Sequence, residues 1–337
     1  MLIQIPQTGV IQKQTFDIKQ EVSIIYGYNN CGKTTLLRAL NQAFHSQLME
    51  RFIQGQEGEV AIYIPTNRVV VSGSNTDELR LKDYEEFVHY QKDSLKDYSL
   101  HLKQLRDQLF RNQAIHQFIC SAVRRIFAVD IQEIHGRYSD GIENIINIYL
   151  NVIWAMTWDQ DISGLTEEGL DKLLSEKQID VMIDEIEMFL HVNVQAELIS
   201  SMKKDFAGCR FILTTHSPLL LTRYPKCAIY NIQKGLLEEM KKDMYYEDLD
   251  LTYEGLFQVD VFPEGARKDI NYLGNAVLNR KDSSWEDIQK AADRLWENYP
   301  NIYRRYNKMI TKAISIGEPN DSHQENQDAK GAGRNQP

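Results

Sequence analysis

The 337-residue chain is poor in several features that define common protein classes. It has four cysteines, at positions 31, 120, 209 and 227, and no two of them form a Cys-x-x-Cys pair. This spacing excludes a zinc ribbon or a disulfide framework, and scattered thiols are typical of a reducing compartment. The most apolar stretch, residues 145–158, contains asparagines and is too short to span a bilayer. We therefore expect a cytoplasmic protein without a membrane segment.

A surplus of positive charge is also lacking, since the formal net charge is −10. The surface as a whole should repel nucleic acid, so DNA binding would need a local basic patch. One candidate exists, because residues 88–125 contain seven basic and three acidic residues, a difference of +4. This stretch is either an ordinary solvated helix face or a surface that contacts the phosphate backbone of DNA.

The sequence does contain a strand, loop and helix pattern in residues 22–49. The apolar run 22–26 predicts a strand, and apolar residues recur at helical spacing after Lys33. Between them, GYNNCGKT follows the pattern G-x-x-x-x-G-K-T, whose backbone N–H groups and following helix favour phosphate. We refer to Gly27–Thr35 as the glycine loop. The expected nucleotide-binding residues are Gly27, Tyr28, Asn29, Asn30, Cys31, Gly32, Lys33, Thr34 and Thr35, and Thr34 is also expected to ligate Mg²⁺.

Two further segments place polar side chains directly after apolar strands. In DVMIDEIE (180–187), Asp184 is positioned to hold Mg²⁺ through a water, and Glu185 to orient and deprotonate an attacking water. Glu187 adds a third carboxylate, to which the sequence assigns no role. In ILTTHSP, His216 follows the predicted strand 209–215, where parallel-sheet proteins place their ligands. His216 is therefore either a structural histidine or a residue that contacts a γ-phosphate.

A fourth motif, Ser139-Asp140-Gly141, opens the predicted helix 141–157. A serine and exposed N–H groups at a helix start together form an anion site. Since the glycine loop already serves the phosphates of its own chain, this second site is expected to reach a nucleotide on a partner chain. The alternative is an ordinary helix N-cap.

In this order, GYNNCGKT, SDG, IDVMIDE and TTHSP resemble the motifs of ATP-binding-cassette (ABC) ATPases. The likeness is strongest to the SMC-like and RecF-like branch of AAA-family ATPases, which includes OLD-family proteins and the ATPases of Septu-type defence pairs. It covers roughly residues 1–75 and 127–225. The resemblance implies that the glycine loop is the Walker A motif, that Asp184 is the Walker B aspartate, that Glu185 is the catalytic glutamate and that His216 is the switch histidine.

The same resemblance implies contacts between two subunits. Ser139 and Gly141 would form the signature that caps ATP bound to the opposing subunit, and His191 would touch the partner. Residues 61–68 resemble the Q-loop region of the family, but the family's glutamine is absent there and Asn67 or Arg68 stands in its place.

The fold implied by the resemblance is α/β: a P-loop NTPase with a mixed sheet flanked by helices, as in an ABC-type ATPase head. We expect the ATPase core in residues 1–75 and 127–230, and an inserted helical arm in 76–126. We also expect a helical C-terminal extension in 231–316 and a disordered tail in 317–337. The heptad-like apolar stripe of residues 84–109 either lies on the core or meets a partner.

In this family two ATP molecules lie between two subunits, which implies a homodimer formed through ATP with Mg²⁺ as the cofactor. No second catalytic motif is found in the chain. One hypothesis is therefore that the ATPase regulates a separately encoded effector, such as a nuclease, in bacterial anti-phage defence. A second is a RecF-like DNA-repair or recombination ATPase that clamps DNA directly through residues 88–125. A third is a scaffold that ATP merely stabilises.

Overall fold

A computed structural model describes residues 2–18, 20–53, 60–66, 98–131, 138–224, 226–240, 262–278 and 284–317. The chain divides into two compact units, Met1–Phe257 and Gln258–Pro337. Asn67, Arg68, residues 76–97 of the expected arm and residues 318–337 of the expected tail lie outside the described part. The domain boundaries expected from the sequence remain predictions.

The first unit is built on a parallel-dominated β-sheet. Its described strands are β1 (Leu2–Ile5), β2 (Gln14–Asp17), β3 (Val22–Tyr26), β4 (Val60–Ile64), β5 (Ile179–Ile183), β6 (Cys209–Thr215), β7 (Ala228–Gln233) and β8 (Leu236–Glu239). β1 and β2 form an antiparallel pair. The others form one sheet in the order β4-β5-β6-β3-β7-β8, in which only the β7–β8 pair is antiparallel. This arrangement confirms the predicted α/β class.

Helices cover this sheet. They are α1 (Lys33–Ile53), α2 (Tyr98–Leu109), α3 (Gln113–Phe127), α4 (Asp140–Thr157), α5 (Glu167–Glu176), α6 (Val192–Asp205) and α7 (Pro218–Arg223). Every residue of β3, β4 and β5 is buried, as expected for parallel strands with both faces covered. The strands predicted at 22–26, 60–64, 178–183 and 209–215 and the helices predicted after Lys33 and at 141–157 are confirmed.

The central helix α4 is buried along almost its whole length. Its sequence is apolar on all sides, which is typical of a helix enclosed by a core. The asparagines that interrupt this run make internal hydrogen bonds. Asn144 donates to Met188 O (2.7 Å), Asn151 Nδ2 donates to Asn147 O (2.7 Å), and Asn147 Oδ1 accepts from Arg106 (3.1 Å). Among the helices that the structure describes, none combines the length and the apolar content needed to cross a bilayer.

Helix α2 packs on α4 as part of the main core. Leu102, Leu105 and Leu109 are fully buried together with residues of the sheet. The described end of the apolar stripe therefore lies on the core, which was one of the two alternatives for it. Polar contacts accompany this packing, since the Arg106 guanidinium forms an ion pair with Glu143 (2.5 Å). His101 contacts Asn151 Oδ1 (3.1 Å), and burial lowers the pKa of His101 to about 4.

The second unit contains the helices α8 (Glu264–Leu278), α9 (Trp285–Asn298) and α10 (Pro300–Gly317). They enclose a small core of their own, made of Ala266, Leu273, Ala276, Ile288, Ala291, Ala292, Leu295, Ile310 and Ala313. Ser284 caps α9 by accepting a hydrogen bond from Asp287 N (3.2 Å). An ion pair between Arg294 and Asp269 (2.6 Å) joins α9 to α8.

Candidate nucleotide site

Strand register brings the candidate residues to one edge of the sheet. Tyr26 of β3 lies beside Thr215 of β6, and Ile183 of β5 lies beside Leu213 of β6. Because these strands are parallel, their carboxyl ends meet at the same edge. The glycine loop follows β3, the segment 184–190 follows β5, and His216 follows β6. We refer to 184–190 as the acidic turn.

The glycine loop joins β3 directly to α1. Its backbone is left-handed at Asn30 (φ 61°) and at Gly32 (φ 103°), a conformation that side chains disfavour and glycine accepts. A Cβ at Gly32 would also lie 2.6 Å from Val10 Cγ2, so the neighbouring turn leaves no room for a side chain. Successive changes of backbone handedness of this kind form concave anion sites. The helix start adds a partial positive charge at the same place.

Lys33 lies over the glycine loop, where its ammonium group donates to Gly27 O and Tyr28 O (both 3.0 Å). The residue is 5% exposed. Burial lowers the pKa of Lys33, while the nearby Cys31 and Glu185 act in the opposite direction. A buried cation beside a concave backbone loop is suited to a phosphate group. Cys31 is half-buried, and Tyr28 is 47% exposed.

Asp184 is fully buried and is surrounded by hydroxyl groups. Its Oδ2 accepts from Thr34 (2.7 Å), Thr66 (3.1 Å) and Tyr63 (3.4 Å), and its Oδ1 accepts from Thr214 (2.6 Å). These bonds compensate for the removal of the carboxylate from water. The predicted pair of Thr34 and Asp184 is therefore in direct contact. Tyr63, Thr66 and Thr214 were not among the predicted site residues.

The donor set fits Mg²⁺ better than a transition metal. Thr34 and Asp184 offer oxygen atoms, and Mg²⁺ is commonly bound by one or two protein oxygens together with substrate phosphates and water. Within the described residues there is no group of three or more His, Cys, Asp or Glu side chains that could hold a metal ion unaided. A metal at this position would therefore complete its coordination with ligands such as substrate phosphates and water.

Glu185 is held in an unusual backbone conformation. Its φ is 45°, which is rare for a residue other than glycine, and its N–H donates to Thr214 Oγ1 (2.8 Å). Its carboxylate Oε1 lies 3.8 Å from His216 Nε2. Thr214 therefore contacts both members of the Asp184–Glu185 pair through one hydroxyl. Strained backbone of this kind clusters at functional sites.

His216 faces a mixture of charges. Burial and the cationic Lys33 lower the pKa of His216, whereas Glu187 and Asp184 raise it, and the net change is downward. The imidazole is therefore neutral near pH 7. A neutral imidazole carries one N–H donor, which can bond to a phosphate oxygen.

Ser139 and Gly141 lie at the start of α4, beside the acidic turn. Ser139 caps the helix by accepting from Ile142 N (3.5 Å). At Gly141 the backbone passes so close to the turn that an added Cβ would lie 2.8 Å from Phe189 O. The hydrogen bond from Asn144 to Met188 O strengthens this contact. The helix start is thus joined to the acidic turn of its own chain.

Exposed side chains lie at the end of the acidic turn and directly after it. Phe189 is 52% exposed, with φ 61°, and Val192 is 56% exposed. His191 between them is exposed and caps α6 by accepting from Asn193 N (3.4 Å). Apolar side chains are here presented next to the candidate site.

Several basic residues of the stretch 88–125 are engaged within the chain. Arg106 pairs with Glu143, and Arg124 pairs with Asp130. Arg125 binds both oxygens of Asp205 (2.5 Å each). Lys92 and Lys96 lie outside the described residues.

Comparisons with known proteins point to an ATPase-type domain. Residues 180–222, which include the acidic turn and His216, match the family model described as "AAA domain, putative AbiEii toxin, Type IV TA system". A 121-residue stretch is 29% identical to the "Retron Ec83 probable ATPase" of Escherichia coli. That stretch is 35% of this chain and 22% of the relative, so the match spans about a fifth of the relative's length.

Two solved structures align with the chain at low similarity. One is an inward-facing metal-chelate type ABC transporter, with 13% identity and a TM-score of 0.39, covering 77% of this chain and 89% of that chain. The other is a dimeric bacterial ABC transporter cassette, with 14% identity and a TM-score of 0.39, covering 69% of this chain and 90% of that chain.

Replacement of Thr214 by valine should destabilise the protein. The change keeps the shape of the side chain but leaves Asp184 Oδ1 and the Glu185 N–H without their hydroxyl partner. We expect the free energy of unfolding to fall by about 1–3 kcal/mol, as measured by urea denaturation.

Thr157→Val is the matched control, since this buried hydroxyl donates only to carbonyl groups of its own helix, Ile153 O (2.9 Å) and Trp154 O (3.5 Å). Its loss leaves no hydrogen-bond donor unpaired, so we expect the free energy of unfolding to fall by less than about 1 kcal/mol. Equal losses in the two variants would mean that Thr214 has no special task at the sheet edge.

Proposed function

We propose that the chain binds ATP with Mg²⁺ at the glycine loop and hydrolyses it to ADP and phosphate. The observation that carries this proposal is the 2.7 Å contact between Thr34 and the buried Asp184. It joins the end of the glycine loop to the strand end that also bears Glu185. The matches to an AAA domain and to a retron ATPase support the same reaction class.

The glycine loop and Lys33 would bind the phosphates. Backbone N–H groups of the loop and the start of α1 face negative charge, and the Lys33 ammonium adds a formal charge. Thr34 and Asp184 would hold Mg²⁺, which would supply positive charge to neutralise the phosphate oxygens. Phe189 and Ser139 do not contribute to these contacts with the phosphates and Mg²⁺.

Glu185 would be the catalytic base. It orients a water for in-line attack on the γ-phosphorus and accepts its proton as the new P–O bond forms. The bond from the γ-phosphorus to the bridging oxygen breaks, and ADP is the leaving group. The neutral His216 donates an N–H to a γ-phosphate oxygen. The hydrogen bond from Glu185 N to Thr214 supports this role, because it fixes the residue that must aim the water.

The second half of each site would come from another copy of the chain. Ser139 and Gly141 lie at a helix start that faces the acidic turn, and their anion site would cap an ATP held by the partner. A symmetric pair completes both sites at once, so a homodimer closed by ATP is the simplest assembly. The exposed Phe189, His191 and Val192 supply contact surface beside the site.

For the biological role we favour a defence ATPase that controls a separately encoded effector, in the cytoplasm. The retron ATPase match supports this role. A DNA clamp through residues 88–125 is less favoured, because Arg106, Arg124 and Arg125 already pair with carboxylates of this chain. ATPase activity stimulated by DNA and weakened by salt would instead support the clamp.

Lys33→Ala and Glu185→Gln should separate binding from hydrolysis. The first removes the cation from the loop, so we expect nucleotide binding to be lost. The second keeps the loop and the shape of the side chain but removes the base. We expect near-normal binding of a fluorescent ATP analogue and phosphate release at least about 10²-fold slower. A Glu185→Gln protein with the normal rate would remove Glu185 from the chemistry.

A mixing experiment tests whether Ser139 acts on the partner's ATP. Lys33→Ala and Ser139→Arg chains should each be inactive alone. In a mixed dimer, the intact glycine loop of the Ser139→Arg chain meets the intact Ser139 of the Lys33→Ala chain. Random pairing of equal amounts should restore about one quarter of the wild-type rate, since half of the dimers are mixed and each has one complete site.

We expect the mixture of the two variants to release phosphate faster than the sum of the rates of the separate variants. A mixture with no more activity than its components would show that Ser139 serves the nucleotide of its own chain. Mixing either variant with a Lys33→Ala/Ser139→Arg double variant is the control, and it should restore nothing.

A further inference from the structure

Glu187 is the carboxylate of the acidic turn to which the sequence assigned no role. Both of its oxygens accept hydrogen bonds from the end of β6. The Thr215 hydroxyl donates to Oε2 (2.8 Å), and the His216 backbone N–H donates to Oε1 (2.5 Å). We propose that Glu187 is a positioning residue, which fixes His216 beside Glu185 for ATP hydrolysis. This inference rests on the proposed function, because it assigns a task within the same site.

The hydrogen bonds of Glu187 belong to a closed ring. Thr215 Oγ1 accepts from Ser217 N (2.9 Å), and Ser217 Oγ donates to Gln195 Oε1 (2.6 Å). Gln195 Nε2 then donates to Leu190 O (2.8 Å), at the end of the acidic turn. The ring therefore ties the segment around His216 to the segment that carries Glu185 and Glu187. Removal of the Glu187 side chain would break this ring of hydrogen bonds at the two bonds that its carboxylate accepts.

Packing on its own does not hold the His216 ring in place. One side of the residue borders an open cavity of about 610 Å³, which Val192, Gln195 and Arg223 also line. The side chain is 33% exposed. In close-packed interiors neighbouring side chains fix a ring, but a cavity offers no such support. The hydrogen bond from the His216 backbone N–H to Glu187 therefore helps to fix the point from which the imidazole extends towards Glu185.

Two substitutions distinguish geometry from charge. Glu187→Gln keeps an acceptor for His216 N–H in Oε1, and its Nε2 can donate to Thr215 Oγ1, so the ring of hydrogen bonds survives without the charge. Glu187→Ala removes both acceptors. Glu197→Ala is the matched control, since this carboxylate is exposed on α6. If Glu187 acts by positioning His216, Glu187→Gln should retain the His216 position and the kcat that Glu187→Ala loses.

The first measurement uses the full chain without nucleotide. The imidazole C–H signal of His216 is followed by NMR and is assigned by its disappearance in His216→Asn. In Glu187→Ala this signal should move towards the position of a solvent-exposed histidine. In Glu187→Gln and Glu197→Ala it should stay at the wild-type position.

The second measurement is the steady-state rate of phosphate release from ATP. Among the described residues no hydrogen bond joins Glu187 to the glycine loop, and Glu187 is the last of the charges that act on Lys33. Glu187→Ala should therefore lower kcat about tenfold while KM stays within about twofold of wild type. Glu187→Gln should recover most of the lost kcat. A purely structural role would lower the amount of folded protein and leave the kcat of the folded fraction unchanged.

Two results would overturn the proposal. One is an unchanged His216 signal in Glu187→Ala, whether or not the chain hydrolyses ATP. The other is an equal loss in the glutamine and alanine variants, since the charge rather than the hydrogen bonds would then be decisive. If the NMR signals behave as expected but the wild-type chain releases no phosphate from ATP, the proposed function fails while the positioning of His216 by Glu187 is supported.

Discussion

The buried carboxylate of Asp184 is the constraint around which the sheet edge is organised. A charged group with no exposure to water must be satisfied by its neighbours. Four hydroxyl groups do this, and they come from the glycine loop, from β4, from the segment after β4 and from β6. Each of these segments donates a hydrogen bond to the Asp184 side chain, which holds the segments next to one another. The loop that faces phosphate and the strand ends that carry the other acidic residues are therefore held in one geometry.

The acidic turn extends this geometry beyond the sheet. Its first part is tied to Thr214, its middle to Thr215 and His216, and its last part to the start of α4 through Met188 and Phe189. The turn is thus connected both to Glu185 and to the start of α4, which Ser139 caps. In the proposed dimer, this connection would give a physical route by which hydrolysis of one ATP changes the surface that contacts the partner chain.

Much of this arrangement could be predicted from the sequence, because it depends on local pattern. Apolar runs ended by polar residues gave the strands, and the spacing of Gly27, Gly32 and Lys33 gave the loop. Thr34 and Asp184 were each expected to serve Mg²⁺, but their direct hydrogen bond was not predicted. The missed residues, Tyr63, Thr66 and Thr214, are hydroxyls whose partner is distant in the chain. Only the register of β4, β5 and β6 brings them together, although the polar end of the apolar strand at Thr214-Thr215 was a visible signal.

The place of the apolar stripe near Leu105 was left open for a similar reason. Periodicity shows that one face of a helix is apolar but does not show what covers that face. The structure answers this for α2, whose leucines and Arg106 meet α4. The hydrogen bonds of Glu187 were equally hidden in the sequence, since its partners are the Thr215 hydroxyl and the His216 backbone N–H, at the end of β6.

The central claim is that ATP, held by the glycine loop of one copy and capped by Ser139 of another, keeps two chains together. Sedimentation equilibrium of the full chain with a saturating non-hydrolysable ATP analogue and Mg²⁺ tests it most directly, with the Lys33→Ala variant beside it. The account predicts that the analogue doubles the 39.2 kDa mass of the wild type and has no effect on the variant. Single wild-type chains at full nucleotide occupancy would contradict it.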